Sequence, residues 1–203
     1  MTVEVVHYTD FKSPFAYLTL ADALRIEDTY DVRMRWVHYT LHIPEFLGAV
    51  ETRGENDWRK VKYAYMDARR LANRRGLTVL GPQKIFDSRP AGIGMTWAMN
   101  QDLFRPYAET VFERFFRRDL NLDVPAEIAD VLTGIGADMT GFDDWLTGDG
   151  LARHEAERAE AVEAGVFGVP TFSVNGELFW GGDRIWMVEE TLQQLTGIGR
   201  AHR

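Results

Sequence analysis

The sequence predicts an α/β fold in which a strand-helix-strand start and a strand-strand-helix end are separated by a large all-helical insertion. Three observations carry this reading. Residues 3–8 and 32–38 are strand-like stretches on either side of a helical pattern. Residues 58–145 give helical signals with no β-pattern among them, and residues 171–180 spell a hairpin around Asn175-Gly176.

Each element has a local reason. Residues 3–8 are rich in β-branched side chains and suit a buried strand. Ser13 is placed to cap the next helix, because its oxygen can accept an orphan N–H, and Pro14 suits the first helical position, where no N–H is needed. Phe15, Leu18, Ala21 and Leu24 then recur at helical spacing to about residue 27. In residues 32–38, Met34, Trp36 and His38 alternate with Arg33, Arg35 and Val37, and a right-handed crossover lays this strand beside the first. Helices are expected over 58–75, ending before Gly76, over 90–100, over 103–118, and from Pro125 onward with Ile128, Val131 and Leu132 inward. The Phe112, Phe115 and Phe116 group reads as core packing. A Glu/Ala-rich helix over 151–164 stops at Gly165, and strands over 171–174 and 177–180 follow. Asp183 is placed to cap a last helix running to about residue 195. The sheet-bearing part therefore covers 1–55 and 149–203, and the inserted helical part 56–148.

Composition narrows the function. The 203 residues carry 23 Lys+Arg against 31 Asp+Glu, a formal charge of -8, which disfavours a nucleic-acid or anionic-membrane partner. No apolar stretch is long enough to span a bilayer, and Met1 to Val6 resembles no signal peptide, so a cytoplasmic protein is expected. There is no cysteine, which rules out disulfides, cysteine-metal sites and a cysteine nucleophile. His38 and His42 are four apart but straddle a strand end, with Pro44 following, so no metal site is expected there.

The order of elements, with Ser13-Pro14-Phe15-Ala16-Tyr17-Leu18, residues 165–172 ending in Gly168-Val169-Pro170-Thr171-Phe172, and Leu178-Phe179-Trp180-Gly181-Gly182-Asp183-Arg184, resembles the DsbA-like thioredoxin superfamily. Within it the chain is most similar to a cysteine-less branch, the 2-hydroxychromene-2-carboxylate isomerases and kappa-class glutathione transferases. The resemblance implies a thioredoxin fold with the helical insertion between its βαβ and ββα halves. A redox relative would place its thiol where Ser13 stands, so dithiol exchange is excluded and binding of a thiol cofactor becomes the question.

A helix N-terminus favours an anion such as a thiolate, and Ser13 adds a hydroxyl donor to it. Its own alkoxide is too basic to act unaided, so Ser13 reads as stabiliser of a bound thiolate rather than as nucleophile, against the plainer role of N-cap. The resemblance implies glutathione, or another low-molecular-weight thiol, as cofactor. It further implies a cis peptide before Pro170 whose neighbour Val169 pairs with the cofactor backbone, a contact from Asn56 in the loop 54–57, and recognition of the γ-glutamyl end at Gly182 and Asp183. Relatives carry serine where Gly182 stands and asparagine where Asp87 stands, ahead of Ser88 and Arg89. The implied activity is isomerisation of a small aromatic or electrophilic substrate. Alternatives are a kappa-type transferase and a non-catalytic peptide-binding module, and a homodimer is left open.

Overall fold

The computed structural model describes residues 2–47 and 50–197, with backbone alone at 46 and 47; residues 198–203 of the expected sheet-bearing part lie outside the described residues. β1 (Val3–Thr9) leads into α1 (Pro14–Thr29), and β2 (Val32–His38) returns parallel to β1, with Val3 opposite Val32 and Thr9 opposite His38. A short α2 (Ile43–Leu47) and a 3-10 turn (Val50–Thr52) precede α3 (Glu55–Arg74), α4 (Arg89–Met99), α5 (Phe104–Phe116), α6 (Pro125–Gly134), α7 (Phe142–Thr147) and α8 (Asp149–Glu163). β3 (Thr171–Val174) pairs antiparallel with β1, and β4 (Glu177–Trp180) antiparallel with β3, giving the order β2-β1-β3-β4. A second 3-10 turn (Gly182–Arg184) and α9 (Ile185–Thr196) complete a thioredoxin-like fold with helices inserted between its two halves.

The hairpin follows from its turn residues. Asn175 and Gly176 have φ of 50° and 86°, the two positive dihedrals that a type I′ turn demands. Two expectations are corrected. Asp183 does not cap α9, which begins after Arg184 without a side-chain cap bond; the Asp183 carboxylate pairs instead with the Arg184 guanidinium. Asn56 is not in a loop, because α3 starts at Glu55, where the Asp57 carboxylate accepts the Gly54 N–H at 3.3 Å and extends the helix back from Trp58.

Packing joins the insertion to the sheet-bearing part. Tyr17 of α1 stacks on Phe112 and Phe116 of α5, each with ring centroids 5.3 Å apart, and all three are buried. Close approach of α4 to the end of β2 requires glycine: a Cβ on Gly92 would lie 2.3 Å from Nδ1 of the buried His38. Along the sheet, His7 sits between Trp36 and Phe172, with centroids at 4.8 and 4.4 Å, and neither of its ring nitrogens has a partner among the described residues. Burial pushes its imidazole down to about 3.

Two predictions follow from this packing. Gly92→Ala should destabilise the fold by about 1–3 kcal/mol, the range for overpacking a core site, read from urea unfolding midpoints. The His7 pKa in the folded protein lies below its ordinary 6.5, so its contribution to stability is fully present above about 6.5 and is lost as pH falls toward about 3. Over that window each such histidine contributes a slope of about 1.4 kcal/mol per pH unit. His7→Leu, close in volume, should therefore unfold with a shallower acid dependence than the parent; an identical slope would assign the acid sensitivity elsewhere.

Candidate active site

The site is built around the start of α1. β1 ends at Thr9, and the chain turns so that the Ser13 N–H donates to the Asp10 carbonyl at 2.9 Å. Ser13 takes the extended dihedrals of an N-cap, φ -88° and ψ 117°, and its Oγ accepts the Ala16 N–H at 3.2 Å. This bond uses one lone pair and leaves the hydroxyl proton available for donation. Ser13 is only 6% exposed, and the nearby Lys12 and Phe15 line different cavities.

On the Phe15 side lies a groove of about 510 Å³ that gathers Val169, Pro170, Gly182 and Asp183. The Val169–Pro170 peptide is cis, and the Pro170 carbonyl accepts the Gly181 N–H at 2.8 Å, which ties the start of β3 to the turn after β4. Glycine at 182 has a steric reason. A Cβ there would lie 2.5 Å from Thr19 Oγ1, whose hydroxyl donates to the Phe15 carbonyl at 2.7 Å, so Thr19 occupies the space that a longer residue at 182 would use. Gly181 has φ of 100°, and the Asp183 carboxylate folds over it closely enough that a Cβ on Gly181 would lie 2.5 Å from Oδ1. Charges of both signs share the groove: Asp67 and Asp183 with Arg75 and Arg184. Among the described residues lining it Asn56 is absent; it stands exposed in the first turn of α3, about three and four turns before Asp67 and Leu71.

On the Lys12 side two cavities of about 750 and 670 Å³ share Lys12, Ile43, Ile85 and Phe86 and form one cleft. Its floor is a buried polar network. The Asp10 carboxylate, fully buried, accepts the Leu41 N–H at 2.8 Å and the Lys12 N–H at 3.1 Å, and lies 3.1 Å from Lys12 Nζ. Nζ also donates to Ser88 Oγ at 3.0 Å. Burial alone would raise the Asp10 carboxyl, but the Lys12 ammonium, with His38 and Ser88, overrides it and holds the group below the ordinary carboxylate range. His38 Nε2 lies 3.5 Å from Asp10, and Thr40 Oγ1 bridges His38 Nδ1 at 3.3 Å and His154 Nε2 at 3.0 Å. Burial, with the neighbouring His38, pushes the His154 imidazole down to about 3. Across the cleft Tyr65 of α3 is pushed up to about 12 by burial and by Asp10, so its phenol remains a donor.

Sequence reasoning missed Asp10, Lys12, Thr19, Thr40 and Tyr65. One signal was available: Asp10 and Lys12 bracket Phe11 between an apolar strand and a helix cap, where both neighbouring elements are buried and an unpaired charge would be costly. His42, by contrast, is exposed beside Glu45 at 3.0 Å, apart from the fully buried His38.

Known proteins match this arrangement along its whole length. The 2-hydroxychromene-2-carboxylate isomerase of Pseudomonas putida is 27% identical over 190 residues, covering 93% of each chain. A solved 2-hydroxychromene-2-carboxylate isomerase superposes with a TM-score of 0.77 at 26% identity and 95% coverage of both chains. A probable DsbA oxidoreductase from Streptomyces coelicolor reaches a TM-score of 0.78 at 14% identity, covering 99% of this chain and 93% of that one, a likeness of fold alone. Residues 4–193 match the DSBA-like thioredoxin domain. With strand order, inserted helices and a match over nearly the whole sequence in agreement, the chain belongs to the DSBA-like thioredoxin domain family.

Proposed function

We propose that the protein is a thiol-cofactor-dependent isomerase of small aromatic or electrophilic compounds, with glutathione, or another low-molecular-weight thiol, as cofactor. The observation that carries this reading is the groove of Val169, Pro170, Gly182 and Asp183 beside a serine-capped helix N-terminus in a chain without cysteine. Its full-length relatives named as 2-hydroxychromene-2-carboxylate isomerases support the reaction class.

The groove suits a glutathione-like zwitterion. One ammonium and two carboxylates need charges of both signs, and Asp67 and Asp183 stand there with Arg75 and Arg184. Val169, Gly182 and Asp183 would hold such a cofactor there, and its sulfur would supply a nucleophile for reversible addition to a conjugated carbon. The chain's own part is electrostatic. Ser13 caps α1 at its N-terminus and keeps its O–H proton for a sulfur anion, while the helix dipole favours the same charge. Asp183, released from any capping duty, holds the ammonium end. The cleft floored by Lys12 then takes the electrophile on the other side of Ser13.

Titration calorimetry should show glutathione binding that weakens about tenfold in Asp183→Asn, the scale of one charge-assisted hydrogen bond. Affinity for extended peptides without affinity for glutathione would favour a binding module instead. In Ser13→Ala the ultraviolet thiolate absorbance of the bound cofactor should titrate at higher pH, because one donor to the anion is gone. An unshifted titration removes Ser13 from the account. Product of unchanged mass and altered spectrum marks isomerisation; a product heavier by the thiol marks a transferase.

A further inference from the structure

We propose that Lys12 is the specificity-determining residue of the second cleft, where its ammonium receives the carboxylate of a small aromatic acid. This rests on the reading of that cleft as the place of the electrophile and adds the residue of this chain that selects it. A lysine ammonium has three donors. Among the described residues two are engaged, by Asp10 at 3.1 Å and Ser88 at 3.0 Å, and the side chain is 7% exposed while lining both parts of the cleft. One N–H is therefore left for a ligand.

The negative charge of Asp10 does not cancel this site. Two backbone N–H groups, from Leu41 and Lys12, also serve the carboxylate, which is wholly buried and does not line the cleft. The 670 Å³ part of the cleft is lined by five cationic side chains, Lys12, Arg53, Lys62, Arg69 and Lys84, and one carboxylate, Glu51; Lys84 is also paired with Asp123. In a chain of formal charge -8 that concentration of cations is local, and low-dielectric walls focus its field on an entering anion. The same space is walled by Trp58, Tyr65, Ile85 and Phe86, which suits the flat apolar body of an aromatic ring. The arrangement thus has one buried point charge at its floor, an aromatic wall and a cationic rim.

The test is calorimetric binding of cinnamate and of its uncharged amide to the whole protein at neutral pH, without thiol. The wild-type protein should prefer the carboxylate at least tenfold. Lys12→Met should reduce that preference to below threefold while leaving affinity for the amide unchanged. Because this variant strands the buried Asp10, the pair Asp10→Asn with Lys12→Met is measured beside it and should lose the preference equally. Equal binding of acid and amide by the wild type, no binding of either, or a preference that survives in the Lys12 variants overturns the proposal. A preference that persists where glutathione fails to bind supports Lys12 as the anchor and rejects the thiol reading alone.

Discussion

The neutralisation of one buried carboxylate organises the catalytic end of this molecule. Asp10 has no exposed surface, so its charge must be met by the protein. The groups that meet it come from four places: the Lys12 side chain and N–H before α1, the Leu41 N–H after β2, and, through Lys12, the Ser88 hydroxyl at the start of α4, with His38 of β2 at 3.5 Å. The end of the sheet, the start of the first helix and the entry to the insertion are thereby tied at one point. Breaking such a pair by removing one partner costs about 3–5 kcal/mol, more than most surface ion pairs of this chain are worth together with their entropy. The cost of burial is thus offset by positional definition of the residues around Ser13.

That definition separates two chemistries on either side of one helix end. Ser13 faces the interior as a cap, the Phe15 side opens on the groove at Val169 and Pro170, and the Lys12 side opens on the aromatic, cationic cleft. Close backbone approach is what makes the groove narrow. Thr19 meets the turn at Gly182, and no side chain at that position fits without displacing it. The Thr19 hydroxyl thus stands where a side chain at 182 would begin.

The sheet was legible in the sequence because its signals are local. Alternation over 32–38 and the Asn175-Gly176 turn placed β2, β3 and β4 at the residues where they stand, and Pro14 after Ser13 placed the start of α1. The site was legible only where a motif is contiguous. Asp183 looked like a helix cap because aspartate ahead of an apolar helix usually is one; a 3-10 turn intervenes, and the cap position passes to Arg184. Asn56 looked like a loop residue because helical periodicity becomes apolar only at Trp58, whereas the first turn of α3 is wholly polar. Lys12 and Asp10 were harder to read for a deeper reason. Charged residues at the mouth of a helix ordinarily face water, and only the arrival of Leu41 and Ser88 from distant positions encloses them.

The same enclosure explains how an acidic protein can present a cationic cleft. Several of its carboxylates lie in exposed pairs, such as Glu4 with Arg33 and Asp28 with Arg105, whose fields are screened within about 10 Å at ordinary salt. Lys12 is itself nearly buried and lines a recess walled by Trp58, Tyr65 and Phe86, so its charge is less screened than that of an exposed pair. Asp10 does not line the recess and is held by backbone N–H groups as well as by the ammonium. Net charge is thus a property of the whole chain, while the potential that a ligand meets in the recess is set by the charges that line it, Lys12 at the floor and Arg53, Lys62, Arg69 and Lys84 around it.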